Sequence, residues 1–218
     1  MKNIFIRLVT HHFRQEWKQR HAFLGLVLYC AATIFIAYLA FRNSIDAVTW
    51  NALFWIIMLF ASVNALAKSF LSESRGRQLY YYSLVSAPVF YLSKLLYGII
   101  LMLVLSFISL IVFSVLNGVP AWNFSSYLVT LITGSTGLAI TLTMISAITS
   151  RSGSQTSMMA ILGFPVLIPM LIIIIKISAH AIDGFSITAF PKDFILLSSL
   201  LVMATALSYI LFPYIWRD

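Results

Sequence analysis

The chain alternates long apolar blocks with short polar segments. Each block holds about 20 residues, the length that crosses about 30 Å of hydrocarbon as an α-helix. The composition agrees, since 61% of residues are hydrophobic and 9% are charged, against roughly 25% charged in soluble domains. The pattern therefore predicts an all-α integral membrane fold, with 1–218 as a single domain and spans at about 22–41, 50–70, 95–116, 125–148, 156–177 and 194–215.

The first 21 residues are too polar to span a membrane. Cationic and apolar side chains recur there at helical spacing on two different faces, which predicts an N-terminal amphipathic helix in the membrane interface. The cationic face holds Arg7, His11, Arg14 and Lys18, and the apolar face holds Phe5, Val9, Phe13 and Trp17.

The polar segment 68–94 separates the second and third spans. It is basic and aromatic, with Glu73 as its one acid. Ser72 suits a helix N-cap and Glu73 suits a first helical turn, so residues 72–84 are interpreted as a short cytoplasmic helix. The alternative is a solvated basic loop.

Two spans carry unusual residues. The fourth has a face of small and hydroxyl residues that favours close helix approach in lipid. The fifth contains Pro165 and Pro169, which interrupt its backbone hydrogen bonds. That interruption is either a functional bend or a structural kink.

The cations predict the orientation. With the N-terminus inside, the cytoplasmic segments hold 11 of the 14 Lys and Arg residues. The positive-inside rule then places both termini in the cytoplasm. Trp50, Trp122 and Trp216 lie near predicted span ends, as interfacial anchors do.

Several function classes lack their motifs. The chain has no phosphate-binding loop, and its six acids all lie outside the predicted spans. Motifs of metalloproteases and serine hydrolases are also missing. The cations are interleaved with apolar blocks and do not form one soluble face, so nucleic acid is not an expected partner. These observations predict a non-enzymatic permease without a metal site, driven by a separate ATPase.

An ATPase acts on a membrane protein through a part that protrudes from the bilayer. The expected coupling residues lie in the segment 68–94, where tyrosines can fill an apolar groove on the ATPase and arginines can pair with its acids. These residues are Glu73, Arg75, Gly76, Arg77, Tyr80, Tyr81 and Tyr82.

The interfacial helix, six spans and the run from Glu73 to Pro88, followed by Leu92-Ser93-Lys94, resemble the ABC-2-type exporter permeases. Within them the chain is similar to the membrane subunits of haem exporters in bacterial cytochrome c maturation (CcmB-like). The likeness covers almost the whole chain. That family commonly shows a Leu-Glu pair after the glycine, whereas this chain has Gln78-Leu79-Tyr80.

The resemblance implies partners and a location. The chain would form one half of a dimeric or pseudo-dimeric core, such as a homodimer, in the bacterial inner membrane. It would associate with an ATP-binding cassette subunit, other cytochrome c maturation membrane subunits and a haem chaperone. ATP would bind only to the partner, and haem would be the cargo.

Some alternatives stay open at this point. His180, at the end of the fifth span beside Asp183, is a candidate haem ligand or an ordinary histidine near the headgroups. The cargo of the same architecture could instead be a lipid, glycolipid or drug. In a third hypothesis, the chain is a scaffold that couples the ATPase to a haem-handling partner and transports nothing, with the small-residue face of the fourth span as a subunit interface.

Overall fold

The computed structural model describes residues 20–41, 45–66, 86–119, 123–150 and 155–217. These residues are α-helical apart from short connections and one 3-10 turn at Ile187–Ala189. All six helices contain a segment long and apolar enough to span a membrane, which confirms the predicted fold class. They are α1 Arg20–Phe41, α2 Ala47–Leu66, α3 Ala87–Asn117, α4 Phe124–Thr149, α5 Gln155–Ile182 and α6 Pro191–Arg217.

Two predicted helices lie outside this description. The interfacial helix at 1–21 falls outside it except for its last two residues, and the coupling helix at 72–84 falls outside it entirely. Trp122 also lies outside the described residues.

Helix α3 begins well before the apolar block that predicts it. Its first residue is Ala87, and Pro88 occupies the first turn. Proline is tolerated there because the first backbone N–H groups of a helix have no intrahelical acceptor. Residues 87–94, which the sequence pattern assigns to the polar segment, therefore form two turns of α3.

Helix α4 lies at the centre of the bundle. About 67% of its most apolar stretch is buried, which is the largest share among the described helices. A Cβ atom on Gly134 would lie 2.6 Å from Trp55 of α2, and one on Gly137 would lie 2.8 Å from Leu201 of α6. The small residues thus allow close approach, as predicted, but to helices of the same chain. This part of the face is therefore not available as a subunit interface.

Two buried hydroxyl groups of α4 bind carbonyls of their own helix. Thr130 Oγ1 donates to the carbonyl of Ser126 at 2.9 Å, and Thr149 Oγ1 donates to that of Ile145 at 2.9 Å. Such bonds within the helix satisfy a polar group that has no water available.

The bundle has two ends, which we name by a residue at each. At the His180 end, Trp50 Nε1 donates to the carbonyl of Gly118 at 3.0 Å, and Asn123 N donates to that of Ala181 at 2.7 Å. At the Lys94 end, the ring of Phe90 in α3 stacks on Phe212 in α6. Asp46 precedes α2 at the His180 end, where hydrogen bonding from Thr49 lowers the pKa of its carboxyl group.

Trp50 is not an interfacial anchor. It is 1% exposed and contacts the rings of Phe54, Phe113 and Tyr127. Its indole N–H finds a backbone carbonyl inside the chain, so the side chain does not need the wet interface that the sequence position suggests.

Candidate functional site

The predicted coupling residues lie in the part of the chain that the structure does not describe, namely 67–85. The structure does describe both flanks of this segment. Leu66, the last described residue before it, is fully buried, and its Cδ2 lies 3.3 Å from where a Cβ of Gly98 would stand. Ser86, the first residue after it, is the extended N-cap residue of α3. Leu66 is thus packed in the bundle, and the exposed Ser86 leads directly into the buried Ala87 of α3.

Lys94 lies two turns into α3 and is 5% exposed. Its Nζ is 5.7 Å from the centre of the Phe90 ring, within the range of a cation–π interaction. Among residues whose burial is described, it is the one charged side chain that is buried. Ionisable groups buried within a membrane bundle commonly have functional roles. From the sequence, this lysine is expected only to open the third span.

Aromatic rings connect this flank to the last helix. Phe90 and Tyr91 lie 6.4 and 5.0 Å from Phe212, measured between ring centres. A displacement of the start of α3 would therefore also displace α6. Sequence reasoning missed this contact because residues 91 and 212 are far apart in the chain.

His180 lies near the end of α5 in an aromatic setting. Its ring stacks on Phe190 at 3.8 Å with an angle of 5° between the planes. Phe185 approaches the edge of the pair, with its centre 6.4 Å from the His180 ring. The short connection between α5 and α6 folds back to bring these rings together.

A carboxylate joins α5 to α6 beside this histidine. Asp193 Oδ1 accepts from Lys176 Nζ at 2.9 Å, and Asp193 Oδ2 lies 4.0 Å from His180 Nε2. The second distance is too long for a hydrogen bond. The Lys176 side chain is 57% exposed, so the pair is open to solvent or headgroups and its contribution is small.

The cavity beside His180 is small. Its volume is about 10 Å³, and its lining includes Ser126, His180, Phe185 and Phe190. One water molecule needs roughly this space, whereas ligand sites usually measure 300–1,000 Å³. His180 Nε2 is buried, with no hydrogen-bond partner among the described residues. In this conformation the atom does not face a space that could hold haem.

Two buried side chains of α2 bind α5. Asn51 Nδ2 donates to the carbonyl of Ile175, and Trp55 Nε1 donates to Ser178 Oγ, both at 2.9 Å. An asparagine in an apolar block is the sequence signal that could have indicated this contact, because amides in lipid bind across helices, although the same block also contains Asn64. Within the described residues, no three His, Cys, Asp or Glu side chains are grouped to hold a metal ion.

Comparison with known proteins gives a family assignment. The model of a family described as CcmB protein matches residues 3–215, which is nearly the whole chain. No curated protein sequence gives a significant match.

Proposed function

Because this chain belongs to the CcmB family, the haem-exporter permease components of cytochrome c maturation, we propose that it is the transmembrane subunit of an ATP-binding cassette complex. Hydrolysis of ATP by a separate subunit drives the export of haem or its release to a chaperone. The family match over residues 3–215 is the observation that carries this proposal. It also favours haem over a lipid, glycolipid or drug as cargo.

The proposed location is the bacterial inner membrane, with both termini in the cytoplasm. The excess of cations in the segments 1–21 and 68–94 supports this orientation. The Lys94 end then faces the cytoplasm, and the His180 end faces the periplasm. Maturation subunits and a haem chaperone would be reached from the His180 end.

The ATPase contacts the coupling segment. Tyr80, Tyr81 and Tyr82 insert into a groove on the ATPase, while Arg75 and Arg77 pair with its carboxylates. Gly76 allows a close backbone approach, and Glu73 stabilises the first turn of the short helix. Force on this segment passes directly into α2 and α3, since both flanks pack in the bundle.

We expect charge reversal at Arg77 to weaken ATPase binding. Arg77→Glu, or serine at all three tyrosine positions, lowers the ATPase recovered with the chain from membranes by about tenfold, the effect of roughly 1.4 kcal/mol of lost binding free energy. The matched control is Lys192→Glu, an exposed cation at the His180 end. Normal ATPase recovery with both segment variants, at equal membrane levels of the chain, contradicts the coupling proposal.

His180 is the candidate haem contact of this chain. Presenting Nε2 to iron requires the stack on Phe190 to open, because the atom is buried in the described conformation. Phe185 and Phe190 then offer aromatic faces to the porphyrin. Haem would dock here transiently, at the end of the bundle from which a periplasmic chaperone would collect it.

The variant His180→Ala tests this contact. We expect the haem recovered with the complex to fall by at least about tenfold, because loss of even a partner of a metal ligand costs roughly 10–100-fold in metal affinity. His21→Ala, which removes an exposed histidine at the start of α1, is the control. If both variants retain the same haem and the same c-type cytochrome level, His180 has no role in haem handling.

Two observations support the scaffold hypothesis. The central helix α4 is closely packed, and the cavity beside His180 has space for about one water. Haem movement into sealed vesicles that contain all subunits and ATP would favour the permease. ATP turnover without haem movement would favour the scaffold.

A further inference from the structure

Helix α5 contains two prolines one turn apart, Pro165 and Pro169, in the middle of its length. Proline has no backbone N–H, so the carbonyls of Ile161 and Pro165 lack the donor that an uninterrupted helix supplies four residues later. Two successive turns of α5 are therefore weaker than their neighbours. In hydrocarbon no water replaces these bonds.

The part of α5 on the His180 side of the prolines is fixed to other helices. Asn51 and Trp55 of α2 bind Ile175 and Ser178, each at 2.9 Å. Met170 Sδ lies 3.7 Å from Thr141 Oγ1 of α4. These contacts join residues 170–178 to the centre of the bundle.

The part on the Lys94 side is different. Ile161 is 70% exposed, Phe164 is 49% exposed and both prolines are exposed. Among residues 161–168, only Gly163 and Leu167 are buried. Residues 161–168 therefore have few buried side chains that would resist rotation relative to the fixed part.

We propose that Pro165 and Pro169 form a hinge, about which the first turns of α5 move while residues 170–182 remain attached to α2 and α4. A hinge needs a few backbone positions that absorb a change in dihedral angles between two rigid bodies. The missing hydrogen bonds supply those positions, and the unequal anchoring determines which body moves. The use of this motion in haem transport rests on the function proposed above.

A static kink is the competing explanation, and spin-label distances separate the two. The test removes the single cysteine with Cys30→Ser and places labels at Ile161→Cys and Val48→Cys, two exposed positions. Pulsed electron paramagnetic resonance then measures the distribution of distances between the two spin labels, with the full chain in lipid nanodiscs. If the segment moves, the distribution of label distances is broad. The double variant Pro165→Ala, Pro169→Ala is then expected to reduce the width of this distribution by about half.

Two controls use the same chain. Labels at Ile172→Cys and Val48→Cys lie on the fixed side of the hinge, so their distribution is expected to be unchanged by the alanines. Pro213→Ala removes a proline from α6 and should leave the 161–48 distribution as it was. Equal widths for the 161–48 pair with and without prolines overturn the hinge. The test needs no ATPase or haem, so its result is independent of the proposed function.

Discussion

Gly134→Ala is expected to lower the free energy of unfolding of the bundle by about 1–3 kcal/mol, and Gly134→Leu is expected to prevent folding. A Cβ at this position would lie 2.6 Å from Trp55 Cη2 and 3.1 Å from Ile174 Cγ2. Trp55 cannot easily retreat, because it is fully buried and its Nε1 is bound to Ser178. Thermal unfolding in detergent, followed by size-exclusion chromatography, measures the effect.

Gly25→Ala is the matched control, since a Cβ on Gly25 meets nothing within 4 Å. Alanine there should stabilise α1 by roughly 0.5–1 kcal/mol, the helix preference of alanine over glycine. Trp55→Phe removes the ring atoms with which the Cβ of the Gly134→Ala variant would clash. A double-mutant cycle should therefore give a coupling free energy of about 0.5 kcal/mol or more. Additive effects, or equal stability of the Gly134 and Gly25 variants, would refute the close approach of α2 and α4.

Trp50→Ala is expected to lower the free energy of unfolding by about 3–5 kcal/mol, the range for deleting a large buried aromatic. The side chain is 1% exposed, and its ring centre lies 5.0 Å from Phe113 of α3 and 5.9 Å from Tyr127 of α4. Removing it leaves a cavity where three helices meet. Unfolding in increasing concentrations of a denaturing detergent measures the loss.

Trp50→Phe divides this effect into two parts. Phenylalanine keeps an aromatic ring but loses the donor to the carbonyl of Gly118, a loss of about 1 kcal/mol. Tyr214→Ala, which removes an exposed ring, should change stability by less than about 0.5 kcal/mol. If Trp50→Ala behaves like Tyr214→Ala, Trp50 is an interfacial anchor after all and the described packing is wrong.

Hydropathy predicted the six helices because membrane insertion depends on each segment's own length and composition. The small residues of α4 predicted close approach for a similar reason, since glycine limits the bulk on that face. The start of α3 was less predictable from the sequence. The sequence pattern assigned residues 87–94 to the segment between two spans, yet Phe90 and Tyr91 pack on α6 and hold these turns in the helix.

The candidate site was predictable in type but not in geometry. The pattern of residues 68–94 indicated a coupling segment, and that prediction still awaits a test. His180 was noticed because it follows an apolar block, but its stack on Phe190 depends on how the connection between α5 and α6 folds. Lys94 could be seen in the sequence, but its burial could not.

The sequence by itself determined that the described part of this chain has six helices able to span a membrane, and that the chain belongs to the CcmB family. These are properties of single segments or of the whole pattern of residues, so no knowledge of packing is needed. The tertiary structure alone decided that Trp50 is internal, that α4 is central and that one half of α5 is held by Asn51 and Trp55. Lipid tails are about as apolar as the apolar helix surfaces, so hydrophobicity does not select which faces meet, and shape together with a few buried hydrogen bonds makes that choice.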